Sequence, residues 1–491
     1  MIMILKDDFL SIFKHQLKEI KKKLSTSNLK NVYCMKSHSQ FSSDDLRILV
    51  IASLTQFTTS FIGSMIPVAI PLISGELNLS IEFANWITIS YMIALIAVSI
   101  PLSHVISQYG VKKFTIYGVT ILIIGLIMSA ISFNIYFLLF SRILQGVSVA
   151  ILLISIYLLV VNQIPENHLG GALGIVGSCG YIGMTSAPTI SGFIVYYLSW
   201  RILFILMVLI FAIELILLFR VDREYNSERK PINIKSSFLY IVIMTLVMLG
   251  LNKITTWGIY PFAIGLILLI INLKYEYKSP NPIFNLNLFR NMKYVIGNYA
   301  GFVTYFITFI ATYILNFHLQ YVLGYDSRIA GMILLITPIV MVLISAPSGK
   351  LADKYDNRIL AGIAMTIMLF VMFALCFIDL LPLYVLFVVL VIQGIGHGLF
   401  SPPNNKYVLT TIDKKDLGDA SSMLTTSKEL GKSFSLAIYN VICIIIIGNQ
   451  EIGGNNIPEL ILSSHLIMYI STILTLSAAI LLFYSKFHYR D

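Results

Sequence analysis

Several polar or ionisable side chains lie inside long apolar stretches of the sequence, where charge is costly. They are Arg142, Gln145, Glu214, His397 and Glu429. An ionised side chain in the middle of a membrane-spanning helix costs about 3 kcal/mol on insertion scales, so it is expected to face a cavity or a partner. Residues of this kind mark pathways for substrates and protons. We therefore predict that these five side chains lie on a substrate or proton pathway.

Arg142 and Gln145 are one helical turn apart and share a helix face. Arg142 either sets the local field for a titrating group or an anionic substrate moiety, or bonds structurally to carbonyl groups of neighbouring helices. Gln145 is placed to bond a substrate or the first helix. The pattern leaves these interpretations open.

The three titratable residues also have two interpretations each. Glu214 is either a proton carrier or a carboxyl group at the lipid boundary. Glu429 is flanked by two lysines, and we predict that it pairs with one of them or with Lys406. His397 lies between two glycines and is either a group that titrates near neutral pH or a hydrogen-bonded packing residue.

The composition indicates the class of protein. Of 491 residues, 57% are hydrophobic and 12% are charged, whereas soluble domains carry roughly 25% charged residues. This predicts a polytopic membrane protein. The four cysteines lack metal-ligand spacing, and neither G-x-x-x-x-G-K-S/T nor H-E-x-x-H occurs, so we expect no metal, no cofactor and no enzymatic activity. The net charge of +10 is expected to reflect membrane-surface loops rather than nucleic-acid binding.

Fourteen apolar runs are long enough, or nearly so, to cross about 30 Å of hydrocarbon as helices, which predicts an all-α protein. They fall near 47–74, 84–107, 113–132, 136–163, 169–197, 200–220, 236–251, 258–274, 294–319, 327–349, 358–378, 382–410, 417–447 and 463–485. Lys and Arg concentrate before the first run and after most even-numbered runs, which the positive-inside rule places in the cytoplasm. We predict a multi-pass protein of the cell membrane with both termini cytoplasmic.

The sequence contains an internal repeat at an offset of 248 residues. The repeated pairs are Gln145-Gly146 with Gln393-Gly394, Leu169-Gly170 with Leu417-Gly418, and Gly183 with Gly431. A repeat of this length predicts two parallel six-helix halves, and parallel halves hold their substrate between them.

The repeat divides the chain into five predicted parts. They are a basic tail over 1–46, a first half over 47–220, a linker with two extra helices over 221–293, a second half over 294–485, and a tail over 486–491.

A charged hinge, Gly349-Lys-Leu-Ala-Asp-Lys-Tyr-Asp-Asn-Arg358, separates the tenth and eleventh runs. It resembles the loop motif G-x-L-x-D-R/K-x-G-R of the major facilitator superfamily, with Gly349, Asp353, Lys354 and Arg358 in place. The resemblance implies a gating loop. Asp353 is expected to accept hydrogen bonds from N–H groups at a nearby helix start and to pair with a cation such as Arg358.

Two further segments resemble motifs of the same family. Arg142-Ile-Leu-Gln-Gly146 is similar to its R-x-x-Q-G motif, and Gly183-Met-Thr-Ser-Ala-Pro-Thr-Ile-Ser-Gly192 is similar to its antiporter motif G-x-x-x-G-P-x-x-G-G. Small residues along this fifth run, with the bend at Pro188, are expected to let it approach the tenth helix closely. Together the motifs resemble the fourteen-helix multidrug efflux branch, whose members are drug:proton antiporters.

The resemblance implies a secondary transporter that exports amphipathic organic compounds by alternating access with proton exchange. Its expected partners are a small-molecule substrate, protons and the lipid bilayer. Two departures bear on mechanism: Ile62 stands where the branch has a helix-1 acid, and Ser107 replaces the hinge aspartate in the first half. A carrier or uniporter of a neutral or anionic metabolite or lipid therefore stays open, as does a transport-inactive scaffold or sensor.

Overall fold

The computed structural model describes residues 43–79, 81–221, 224–225, 231–279, 282–283, 285–325, 327–447 and 457–488. Nearly all of the predicted N-terminal tail therefore lies outside the described residues. Within these ranges the secondary structure is entirely helical, which confirms the predicted all-α class.

Fourteen long helices follow one another in the described part of the chain, at the positions of the fourteen apolar runs. They are α1 (Ser43–Glu76), α2 (Trp86–Tyr109), α3 (Val111–Ala130), α4 (Ile135–Gln163), α5 (Glu166–Tyr197), α6 (Trp200–Phe219), α7 (Ile234–Asn252), α8 (Ile259–Lys278), α9 (Met292–Phe317), α10 (Ile336–Ala352), α11 (Asn357–Leu375), α12 (Leu383–Thr410), α13 (Leu417–Ile447) and α14 (Ile457–His488). Short helices, Ile81–Ala84 and Ser327–Leu334, precede α2 and α10.

Two helices, α5 and α14, differ from the predicted apolar runs, and their composition explains the differences. In the described residues, thirteen helices are long and apolar enough to cross a membrane; α5, which contains seven glycines, is outside that set. The last helix begins at Ile457 rather than near residue 463 because Pro458 and Glu459 belong to its first turn, where proline and acidic residues are favoured. The chain is a multi-pass membrane protein.

The helix contacts repeat between the two halves. In the first half α2 and α3 pack on α4, and α3 packs on α6; in the second half α10 and α11 pack on α12, and α11 packs on α14. The halves meet along two seams, one between α5 and α10 and the other between α2 and α13. The extra helices α7 and α8 pack on each other, and α7 also contacts α2. This arrangement confirms the prediction of two six-helix halves with an inserted pair.

The repeated glycines lie at equivalent helix crossings, which explains why they recur. A Cβ atom added at Gly146 would lie 2.4 Å from the Tyr91 carbonyl oxygen of α2, and one at Gly394 would lie 2.6 Å from the corresponding Thr337 oxygen of α10. No side chain fits at such distances, so glycine permits the close approach of the helix backbones.

The glycine-rich helix α5 makes two such crossings. Gly170 and Gly174 face the α10 backbone, as expected. Gly183 instead faces α1, where an added Cβ would lie 2.2 Å from the Phe57 carbonyl oxygen. At Gly192 the nearest atom is 3.8 Å away, which is ordinary contact distance. Only part of the antiporter-like segment therefore requires glycine for packing.

We predict that Gly183→Ala destabilises the protein and that Gly192→Ala does not. The methyl group at position 183 forces α1 and α5 apart, and overpacking of this kind costs roughly 1–3 kcal/mol. Thermal unfolding of the purified protein in detergent should show a lower midpoint for Gly183→Ala and an unchanged midpoint for Gly192→Ala. Equal midpoints for the two variants would contradict the packing assignment.

Candidate functional site

Five aromatic and basic side chains lie together between the two halves, and we call them the central cluster; Tyr157 and Tyr305 are half-buried and the other three are buried. Tyr157 of α4 and Tyr181 of α5 come from the first half, and Tyr305 of α9, His397 of α12 and Lys428 of α13 come from the second. His397 is 3% exposed and Lys428 is 7% exposed. The cluster thus joins the halves at a site shielded from solvent.

Tyrosine rings surround the basic members of the central cluster. The Lys428 ammonium lies 5.5 Å from the ring centroids of both Tyr157 and Tyr305, within the range of cation–π attraction. The His397 ring stands edge-on to Tyr305 and Tyr181, with centroids 5.2 and 5.7 Å away. The site therefore presents aromatic faces and edges next to a cation.

The hydrogen-bond partners of Lys428 are neutral. Its ammonium donates to the Asn405 side-chain oxygen at 2.8 Å and contacts the Tyr157 hydroxyl at 3.3 Å. Across the described ranges, no carboxylate lies within ion-pairing distance of it. Removing a charge from water without a counter-charge is costly, so a ligand that brings an anionic or carbonyl oxygen would improve the environment of this ammonium.

Glu429 forms an ion pair with a lysine on its own helix. The Glu429 carboxylate lies 2.6 Å from the Lys432 ammonium, one of the pairings predicted from the sequence. The alternative pairing with Lys406 is not formed, because Lys406 binds Asp353 at 2.7 Å. The Lys432 ammonium also lies 5.4 Å from the Tyr305 centroid. Glu429 therefore neutralises Lys432, which lies beside the central cluster, and Lys428 is the cluster's cation without an ion-pair partner among the described residues.

Arg142 and Gln145 tie α4 to its neighbours. The Arg142 Nε–H donates to the Ile87 carbonyl at 3.1 Å, its Nη1–H donates to Gln145 Oε1 at 2.5 Å, and its guanidinium lies 4.5 Å from the Tyr91 ring centroid. The Gln145 amide in turn donates to the Gly125 carbonyl at 3.0 Å. Arg142 is fully buried. These contacts match the structural interpretation of Arg142, whereas Gln145 bonds α3 and Arg142 rather than the predicted substrate or first helix.

Glu214 faces α1 rather than lipid. It is fully buried, and its Oε1 accepts a hydrogen bond from the Thr55 hydroxyl at 2.5 Å. Its Oε2 is buried with no hydrogen-bond partner in the described part of the chain. Ile62, at the position of the missing helix-1 acid, is itself buried in the apolar core. The first half therefore holds a fully buried carboxyl group on α6, whereas the position of the family's helix-1 acid is apolar.

The charged hinge closes the seam between α5 and α10. Asp353 Oδ1 accepts from the Gly170 N–H at 2.6 Å, and Oδ2 accepts from the Gly171 N–H at 2.7 Å. These amides lie in the second turn of α5, at two glycines whose missing side chains let the carboxylate approach the helix backbone. Lys406 of α12 completes the arrangement at 2.7 Å from Oδ1. We call Asp353, Lys406 and the two amides the Asp353 latch.

The predicted partner Arg358 is not part of the Asp353 latch. Its guanidinium lies 3.2 Å from Asp356, the residue that caps α11 through the Arg358 N–H. Lys354 is exposed to solvent. Gly349 packs directly on α5, since an added Cβ would lie 2.2 Å from the Gly170 carbonyl oxygen. The cation of the latch therefore comes from another helix because Arg358 is already used by the neighbouring turn.

A second polar contact joins three helices of the first half at the end of the bundle opposite the Asp353 latch. Glu76, just beyond the apolar part of α1, accepts from the Trp200 indole N–H at 2.6 Å and from Arg201 at 2.6 Å. Arg201 also donates to the Ser132 carbonyl at 3.0 Å. The Trp200 bond is the main reason why the pKa of the Glu76 carboxyl lies below its usual value. These bonds tie the ends of α1, α3 and α6 together.

Sequence inspection missed most of the central cluster and half of the Asp353 latch. From the sequence, Lys406 and Lys428 are expected only as possible partners of Glu429, although a lysine inside an apolar run itself indicates a functional site. Nothing in the sequence distinguishes Tyr157, Tyr181 and Tyr305 as site residues, because tyrosine is common throughout the chain.

In the described ranges, no group of three or more His, Cys, Asp or Glu side chains is placed to hold a metal ion.

Comparison with known proteins agrees with the geometry. The family model described as Major Facilitator Superfamily matches residues 52–436 and 299–488. The chain is 28% identical over 397 residues to the riboflavin transporter RibZ of Clostridioides difficile (strain 630), covering 80% of this chain and 87% of that protein. It is 25% identical over 414 residues to the probable multidrug resistance protein EmrY of Escherichia coli (strain K12), covering 80% of each.

A solved structure supports the same fold. The human organic anion transporter MFSD10 superposes with a TM-score of 0.65 at 10% identity, covering 89% of this chain and 99% of that one. The predicted resemblance to multidrug efflux proteins is confirmed by the relatives, and such proteins are transporters rather than enzymes. The family match, the two-half fold and the latch together show that this chain belongs to the major facilitator superfamily of membrane transporters.

Proposed function

We propose that this chain is an alternating-access secondary transporter that exports amphipathic organic compounds in exchange for protons. We further propose that its substrates carry a planar aromatic ring and a neutral or anionic oxygen-rich group. One observation carries the proposal: the Lys428 ammonium is buried between tyrosines of the two halves with neutral partners only.

The chemistry of the central cluster favours this substrate class. Aromatic rings of Tyr181, Tyr305 and His397 can pack on a planar ring, and Lys428 can donate to a carbonyl or anionic oxygen of the same ligand. A lipophilic cation would instead meet the repulsion of the buried ammonium. The relative that transports riboflavin, a planar ring compound with carbonyl groups, supports this choice, and the multidrug relatives support a loose specificity.

Glu214 is the proposed proton carrier. It is a fully buried carboxyl group with one partnerless oxygen, and an ionised carboxylate in such a place is costly. Proton binding and release at Glu214 would change its bond to Thr55 and hence the contact of α6 with α1. The apolar Ile62 favours the second candidate function, a carrier of the same substrates without proton coupling.

The Asp353 latch is the proposed gate of the seam between α5 and α10. With both termini in the cytoplasm, as the loop charges predict, the latch closes the cytoplasmic side. Asp353 and Lys406 are 11% and 7% exposed, so their bonds are less weakened by solvent than those of a surface ion pair. Opening toward the cytoplasm requires these bonds to break, and closing restores them.

We expect Lys428→Met to weaken substrate binding about ten- to hundred-fold, because a hydrogen bond to a charged group contributes about 1.5–3 kcal/mol. Binding of a labelled flavin to the purified protein should be measured beside transport in proteoliposomes. Lys415→Met is the matched control, since Lys415 is exposed and pairs with Asp413; it should bind like the parent. Unchanged flavin binding in Lys428→Met, or strong binding of lipophilic cations by the parent, would rule out the proposed substrate class.

We expect Glu214→Gln to abolish proton-driven accumulation while substrate counterflow persists. Glutamine keeps an acceptor for the Thr55 hydroxyl but cannot release a proton. Proteoliposomes with an imposed pH gradient and a trapped pH dye measure both activities. Glu459→Gln, at an exposed position in the first turn of α14, is the control. If Glu214→Gln moves protons like the parent, Glu214 is not the carrier.

We expect Asp353→Asn to slow transport about ten-fold or more, because it removes two charge-assisted hydrogen bonds and an ion pair from one seam. Arg358→Gln should stay within about two-fold, since its pair with the exposed Asp356 lies outside the Asp353 latch, and Ser107→Ala should also be mild. Initial rates of substrate uptake provide the test. Equal, mild effects of Asp353→Asn and Ser107→Ala would contradict the asymmetry between the halves.

A further inference from the structure

A histidine and an aspartate face each other across the second seam, between α2 and α13. His104 Nε2 lies 3.2 Å from Asp419 Oδ1 and 2.7 Å from the Ile283 carbonyl oxygen. The two side chains are 20% and 14% exposed. His104 belongs to the first half and Asp419 to the second, so this contact is a direct bridge between the halves.

The bridge occupies the place that the Asp353 latch occupies at the first seam. A Cβ added at Gly418 would lie 3.0 Å from the Ser103 carbonyl oxygen and 3.1 Å from the Ser107 hydroxyl. Gly418 therefore packs on α2 as Gly170 packs on α10. Here, however, the acid is in the first turn of α13, and the basic group is on α2. The latch holds its acid with lysine and backbone amides, whereas this bridge relies on an imidazole, which carries charge only when protonated.

The same histidine holds the segment that follows the inserted helices. Ile283 lies between α8 and α9, and its N–H donates to the Glu276 carboxylate of α8 at 2.6 Å. Two residues further on, the Asn285 amide contacts Asp416 at 3.2 Å. The inserted pair is thus connected through this segment to both sides of the second seam.

Water and protons have access to the bridge. A cavity of about 960 Å³ reaches His104 and Asp419. The other charged or titratable groups that line it are Asp413, Lys414, Lys415, Asp416, Glu224 and Tyr225. Tyr294 of α9 also interacts electrostatically with Asp419. Acidic side chains thus outnumber basic ones along this cavity.

We propose that His104 and Asp419 form a pH-dependent clamp, which closes the second seam when His104 is protonated and also fixes the segment after α8. Protonation adds the attraction between opposite charges across the seam. Deprotonation leaves only a neutral N–H bond, and water from the cavity can then solvate Asp419. The clamp is therefore stronger at acidic pH, where His104 carries a charge, and weaker when the imidazole is neutral. The clamp depends neither on the substrate nor on Glu214.

Distance measurements between the halves test the clamp without transport. Nitroxide labels on Lys113→Cys and Lys415→Cys, both at exposed side chains, report the seam by double electron–electron resonance in lipid nanodiscs. Single-label samples account for labelling of native cysteines. Lowering the pH from 8 to 5.5 should raise the ratio of short to long distances about three- to five-fold, the scale expected of a partly exposed ion pair.

Three variants of the protein labelled at positions 113 and 415 test whether His104 and Asp419 cause the pH response. His104→Gln and Asp419→Asn should lose the pH response, and His104→Lys should show the short distance at both pH values. His465→Gln is the matched control, because His465 and Asp379 form a similar pair at 2.8 Å within the second half; its pH response should be retained. A parent without a pH response, or a response that persists in His104→Gln or Asp419→Asn, would overturn the proposal.

Discussion

The two halves meet backbone to backbone where Gly170 of α5 packs on Gly349 of α10. A Cβ on either residue would lie within 2.5 Å of the other's carbonyl oxygen, so any side chain would separate the helices. Their contact brings the Gly170 and Gly171 amides of α5 within 2.7 Å of Asp353. The carboxylate then accepts two charge-assisted hydrogen bonds across the seam. The steric constraint thus produces the electrostatic one, and both are lost together when the seam opens.

Two buried cations, Arg142 and Lys428, illustrate different uses of charge in a low-dielectric interior. Arg142 is surrounded by a carbonyl, an amide and an aromatic ring of its own half, and its bonds fix the positions of α2 and α4. Lys428 contacts groups from both halves and no carboxylate among the described residues. Burial without a counter-charge is costly, so Lys428 is the cation that a ligand can stabilise. Arg142 serves the scaffold, and Lys428 is suited to binding.

The two seams resemble each other in backbone geometry but differ in chemistry. Each places a glycine at the start of one helix against the backbone or a small side chain of another, as at Gly170 and Gly418. One seam is held by a lysine and helix amides, and the other by the imidazole of His104 with Asp419. The two seams therefore share their close packing but not their polar contacts. Only glycine fits where two helix backbones come this close, whereas a polar contact can be formed by several residue types.

Apolar length and glycine spacing are properties of the sequence itself, and they determined the number of helices, the repeated halves and the glycines at which helices cross. The charged hinge also predicted that Asp353 would accept hydrogen bonds from backbone N–H groups of another helix. Only the tertiary structure decided its cation, Lys406 rather than Arg358, because the two residues meet through the packing of α10 on α12. It likewise decided that Gly183 meets α1 and that Tyr157 and Tyr305, from two different helices, lie beside Lys428. Contacts between residues distant in sequence follow from helix rotation and tilt, which a hydropathy pattern does not specify.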